Sequence, residues 1–102
     1  AALGPALVSK ESIGYAQKLT VTLVIERDGK EAFKGQANTA DMKRDCEYLV
    51  GWLVRHNSIP DGTSVMTGTG TIPPPEFTLA AGDIVHITID KIGTLTNTVV
   101  VV

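Results

Sequence analysis

Between Leu19 and Ile25 the apolar residues Leu19, Val21, Leu23 and Ile25 alternate with Thr20, Thr22 and Val24. Successive side chains of a strand point to opposite faces, so this period of two predicts a strand with one face buried. Arg27-Asp28-Gly29-Lys30 follows, and Asp-Gly tolerates the positive φ angles of a tight hairpin turn. The return strand is expected from Lys30 to Gln36. An antiparallel hairpin is therefore the first commitment of the fold.

The hairpin leads into a helix signal. Asn38-Thr39-Ala40-Asp41 offers side-chain acceptors for the free amides of a helix start, and Asp41 and Asp45 place negative charge near its positive end. Met42, Cys46, Leu49, Val50, Leu53 and Val54 form an apolar stripe at three- and four-residue intervals, which predicts one amphipathic helix ending near His56 with that face inward. Asn57 is placed to take a left-handed conformation, and Pro60-Asp61-Gly62 to turn the chain. Thr63 to Met66 reads as a return to β structure. Ala81-Gly82-Asp83 introduces a strand with Val85, Ile87 and Ile89 on one face and His86, Thr88 and Asp90 on the other. Lys91-Ile92-Gly93 connects it to a last extended segment, Thr94 to Val102, whose valine end requires cover by another segment or a second copy. The expected class is mostly β (α+β) with one helix.

At 102 residues the chain holds one domain with a modest core. Nine basic against eleven acidic side chains give a net charge of -2, which offers no broad positive surface to nucleic acid or anionic lipid. No apolar run is long enough to span a bilayer. The single Cys46 cannot close an internal disulfide and suits a reducing cytoplasm. The start, AALGPALVSKES, has neither an initiating Met nor the regions of a secretory signal, so the chain is expected to be a piece of a longer protein.

A catalytic metal site requires three or four convergent His, Asp, Glu or Cys ligands, and no spacing here supplies them. His56 closes a helix and His86 lies on a strand. Glu76, Asp83 and Asp90 read as solvated acids, Cys46 as a packed thiol, and Tyr48 and Trp52 as residues that seal a core or subunit contact. The exception is TSVMTGTGTIPPP, residues 63–75. Its glycines remove side-chain bulk and let backbone amides and Thr hydroxyls approach a carboxylate or phosphate. It is not a P-loop, because no Lys-Ser/Thr follows and Pro73-Pro74-Pro75 blocks the required helix. A tight structural turn is the alternative reading.

GPALV at residues 4–8, NTADM at 38–42, MTGTGTIPPPEFTL at 66–79, AGDIVHITI at 81–89 and IGTLTNTV at 92–99 together resemble the fumarylacetoacetate hydrolase family, in that family's order. The resemblance covers nearly the whole chain, residues 1–102, as the C-terminal portion of the family's catalytic domain. FKGQANTADMKRDCEYLVGWL and TGTGTIPPPEFTL look most like the branch that dehydrates 2-keto-3-deoxy sugar acids. The resemblance implies a mixed β-sheet or β-roll fold, usually dimeric. In it Mg²⁺, or Mn²⁺ or Ca²⁺, holds a 2-oxo acid and polarises its carbonyl oxygens. A carbon–carbon hydrolase or isomerase of diketo acids, or a non-catalytic β-rich assembly domain, are the alternatives. The family's Glu-x-Glu pair, further Asp and catalytic Lys have no counterpart in this chain, so no catalytic or metal-ligating residue is assigned. The implied substrate-binding positions are Thr69, with Gly68 and Thr67 beside it, and Asn38 and Thr39. The implied partners are a small 2-oxo acid and a second copy of the chain or the missing N-terminal part.

Overall fold

A computed structural model describes residues 1–102. Its centre is a four-stranded antiparallel sheet of β1 (Thr20–Arg27), β2 (Lys30–Asn38), β3 (Ile84–Ile89) and β4 (Gly93–Thr98), in the order β2-β1-β3-β4. The turn between β1 and β2 has Asp28 and Gly29 at φ 54° and 74°, the paired left-handed conformation expected of Asp-Gly. Val21, Leu23 and Ile25 stand opposite Ile89, Ile87 and Val85, which joins the two alternating runs into one apolar face. Phe33, Gly35 and Ala37 of β2 continue that face on one side and Leu95 of β4 on the other. A β-bulge in the hairpin follows Ile25.

The opposite face is polar. His86 pairs through Nδ1 with the Thr96 hydroxyl at 2.9 Å and through Nε2 with Glu26 at 3.2 Å, while Thr88 and Thr94 share a 2.7 Å hydroxyl contact. These side chains tie β1, β3 and β4 together, in keeping with cross-strand pairing as the unit of sheet stability.

The helical region differs from expectation. A single helix from Asn38 to His56 is replaced by a 3-10 turn, Thr39–Asp41, and a separate helix α2, Cys46–Leu53. Each has its own cap. Asn38 Oδ1 accepts from the Ala40 amide at 2.8 Å, and Asp45 accepts from the Tyr48 amide at 2.6 Å. Asp45 is thus an N-cap, not a first-turn charge, and the chain is non-helical over residues 42–45. At the far end His56, not Asn57, takes the left-handed conformation, with φ 60°. The stripe on α2 is not buried: no residue of the helix is, and Trp52 is 55% exposed. Residues 63–66 form no strand, and β4 stops at Thr98. Val99 is the last tethered residue, its amide donating to Asp83 O at 2.8 Å and its carbonyl accepting from the Gly82 amide at 2.9 Å.

A short helix α1, Lys10–Ile13, capped by Ser9, and a 3-10 turn at Ala16–Lys18 precede β1. Ile13, Leu19 and Ile25 are the buried apolar residues. Asp83, read from sequence as a solvated acid, is instead 1% exposed. Its two oxygens accept from Arg27 Nε at 2.8 Å and Arg27 Nη2 at 2.7 Å, and the second also accepts from the Ala80 amide at 2.8 Å. Arg27 further donates to Thr78 O and lies 5.2 Å from the Phe77 ring centre. Asp90 is also bonded, accepting from the Thr20 amide at 2.9 Å.

Candidate functional site

The 63–75 segment crosses the apolar face of the sheet beside β2. Two contacts fix its course. A Cβ added to Gly70 would lie 3.1 Å from Ala37 Cβ, and one added to Gly35 would collide with the Thr71 hydroxyl. The loop therefore rests directly on the strand at two positions where the side chains are smallest. Downstream, Phe77 packs on Phe33 with ring centres 6.0 Å apart and its amide donates to Pro74 O, which pins the end of the proline run to the sheet.

Within the loop, Gly68 has φ +98° and open space where a Cβ would be. It is required for its backbone conformation, whereas Gly70 is required for close approach. Thr69 Oγ1 donates to Thr71 O at 3.1 Å and accepts from the Thr71 amide at 3.3 Å, a local turn that holds its hydroxyl over the backbone. Thr67 and Thr69 are both solvent-exposed. The single O–H of Thr69 is taken by the Thr71 carbonyl, so the turn offers a carboxylate or oxo group a neutral donor once the hydroxyl rotates away from that carbonyl.

Asn38 ends β2 opposite Thr20, one residue beyond the Ala37 that Gly70 touches, so its side chain leaves the strand on the face opposite the loop and is not brought together with Thr69. Its carbonyl oxygen caps the 3-10 turn, leaving the amide as the donor it offers outward. Thr39 is more tightly engaged. Its hydroxyl donates to Ala16 O at 2.7 Å and accepts from the Leu19 amide at 2.9 Å, and its own amide donates to Leu19 O at 2.9 Å. These bonds close the start of β1 against the end of β2. Thr39→Val removes the acceptor for the Leu19 amide, and an unpaired, largely buried N–H typically costs about 1–3 kcal/mol. The expected outcome is a lower urea midpoint with an unchanged slope, and an unaltered midpoint would show that water replaces the hydroxyl.

On the other side of the loop, Val65, Met66 and Thr67 face Leu49, Trp52, Leu53 and Asn57 across a shallow cleft of about 440 Å³. Tyr48 and Trp52 stack along the outer side of α2, with Arg44 over Tyr48 and Arg55 over Trp52. The aromatic pair thus lies on the surface of the chain.

Arg27 and Asp83 carry the shifted ionisations. The Arg27 hydrogen bonds, and then the Ala80 amide, hold the Asp83 carboxyl down from 3.8 to about 2 against the opposing effect of burial. The bond to Asp83 raises the Arg27 guanidinium in turn. Asp83 is satisfied by Arg27 and the Ala80 amide and lies out of solvent, which makes the pair a clamp and not a reactive one. Sequence reasoning missed them because their partnership joins the end of β1 to the start of β3. The only local sign was an acid placed directly before a strand.

The profile of the fumarylacetoacetate hydrolase C-terminal family matches residues 1–100. The chain belongs to the fumarylacetoacetate hydrolase family. It is 40% identical over 100 residues to a protein of Haloferax volcanii described as a probable 2-keto-3-deoxyxylonate dehydratase, a match covering 98% of this chain and 35% of that one. It is 44% identical over 94 residues to 2-dehydro-3-deoxy-D-arabinonate dehydratase of Saccharolobus solfataricus, covering 92% and 32%. A solved structure of 2-keto-3-deoxy-D-arabinonate dehydratase complexed with magnesium and 2,5-dioxopentanoate superimposes with a TM-score of 0.90 at 42% identity, over 93% of this chain and 34% of that one. The chain therefore spans about a third of the length of these family members. The mostly β fold expected from the sequence is the family's fold.

Magnesium is bound in that neighbour. No three His, Cys, Asp or Glu side chains converge anywhere in the chain. Hard divalent ions take about six oxygen ligands, so residues 1–102 do not by themselves fit the ion. No helix is long and apolar enough to cross a membrane.

Proposed function

We propose that this chain is the C-terminal portion of the catalytic domain of a divalent-metal-dependent dehydratase, a lyase that removes water from a 2-keto-3-deoxy sugar acid. The observation that carries the reading is the likeness to the magnesium and 2,5-dioxopentanoate complex, 42% identical over 93% of the chain. The exposed Thr67-Gly68-Thr69 turn is its contribution to the pocket, with Thr69 turning its hydroxyl from Thr71 O to the substrate's carboxylate or oxo group. Metal ligands come from outside residues 1–102 in this reading. Exposed Leu7, Trp52, Met66 and Val100 favour a homodimer, or packing on the rest of the enzyme, and the lone Cys46 suits the cytoplasm.

The test is the full-length enzyme with 2-keto-3-deoxy-D-arabinonate. Turnover should require Mg²⁺, disappear with EDTA and return with added metal. Residues 1–102 alone should bind Mg²⁺ only weakly by calorimetry. Turnover indifferent to chelation, or tight binding of one ion abolished by changing a carboxylate of this chain, would refute the assignment.

A further inference from the structure

We infer that Gly35 of β2 is a positioning residue for the Thr67–Thr71 loop, acting through Thr71 on the hydroxyl of Thr69; this rests on the reading of that loop as a substrate wall. Glycine in the middle of a strand weakens it, and such a residue often marks the close approach of another backbone. Gly35 stands opposite Leu23 on the apolar face, and the approaching group is Thr71, whose hydroxyl occupies the space that a Cβ would fill. An added Cβ would also come within 2.9 Å of the Phe33 ring edge. That edge is the far end of a side chain and can swing aside. Thr71 is short and β-branched, so a Cβ at Gly35 forces its hydroxyl either into another χ1 rotamer or back together with its backbone.

Thr71's backbone is also what orients Thr69. Its carbonyl accepts from the Thr69 hydroxyl and its amide donates to the same oxygen. A shift of Thr71 therefore turns the Thr69 hydroxyl. One strand position later on the same face, Ala37 bears on Gly70 in the same way, with 3.1 Å to an added Cβ. Gly35 and Ala37 together form a seat whose height sets where the Thr69 hydroxyl is held. Neither reaches substrate itself.

Gly35→Ala in the full-length enzyme should raise KM for 2-keto-3-deoxy-D-arabinonate about tenfold with kcat nearly unchanged, the pattern of lost uniform binding. The calorimetric Kd for 2,5-dioxopentanoate in the presence of Mg²⁺ should weaken in step. Gly35→Ala combined with Thr71→Ala should recover most of the loss, because the second change vacates the space the first one fills. If the defect came from Phe33 instead, Thr71→Ala would not relieve it, and the inference would be overturned. It would equally be overturned by a folded Gly35→Ala enzyme with wild-type KM. Should Gly35→Ala fail to fold, Ala37→Val tests the same seat from its other half and suits a strand; an unchanged KM there is again fatal. Thr69→Val separates the two levels. If it leaves KM and Kd unaltered, the substrate reading fails and the seat with it, whereas a loss with Thr69→Val but none with Gly35→Ala removes only the seat.

Discussion

Thr69→Val in the full-length enzyme is expected to lower kcat/KM by roughly ten- to over a hundredfold, since a hydrogen bond to a charged group is worth about 1.5–3 kcal/mol. Valine keeps the shape and branching of Thr69 and removes its hydroxyl, together with the two local bonds to Thr71. The turn should survive, because its course depends on the left-handed Gly68 and on the contact of Gly70 with Ala37. Thermal unfolding should accordingly change little. Thr71→Val is the control: it preserves the bulk over Gly35 and leaves the backbone groups that bind Thr69 in place. Wild-type kinetics for Thr69→Val together with a loss for Thr71→Val would move the pocket by one alternation of the motif. Wild-type kinetics for both would make the loop a structural turn.

Asp83→Asn, directly before β3, is expected to be strongly destabilising. The carboxylate is buried and takes two donors from Arg27 and one from Ala80, so an amide NH₂ in place of one oxygen sets donor against donor. Arg27 is left with an uncompensated charge beside Phe77. The thermal midpoint should fall by more than it does for Thr39→Val. The same pair dictates an acid limb. The folded pKa of about 2 lies below the ordinary 3.8, so the stabilisation is complete above about pH 5 and is lost as pH falls through 4 towards 2. Stability measured across that window should drop in the parent and be flatter in Asp83→Asn. Parallel pH profiles would show that Asp83 does not govern acid unfolding.

The sheet was legible because its determinants are local. Alternation at 19–25 and 85–89 and the Asp28-Gly29 turn need no knowledge of distant residues, and their faces meet as the alternation requires. The helix was only half legible. Asn38 and Asp45 are both acceptors before apolar spacing, and nothing local decides between one long helix and a capped turn followed by a capped helix. In the chain each cap claims its own amide. The inward face expected of that helix was read from periodicity, which reports amphipathicity and not what covers it. Asp83 was misread because its partner Arg27 is 56 residues away. The Thr-Gly loop was visible as chemistry, while its seat on Gly35 and Ala37 could not be seen without the register of β2.

Both ends of the segment between β2 and β3 are fastened to β1: Thr39 to Leu19 just before its start, and Asp83 to Arg27 at its close. The strand pairing at those two points is consequently insensitive to the length of chain between α2 and the threonine turn. Closing a longer flexible loop costs only about 0.6 kcal/mol for each doubling of its length. Residues can thus be gained, lost or exchanged around Pro60-Asp61-Gly62 without reopening the strand pairing. The clamps divide the chain into a frame and an excursion that carries both α2 and the threonine turn, and changes within the excursion leave both fastenings in place.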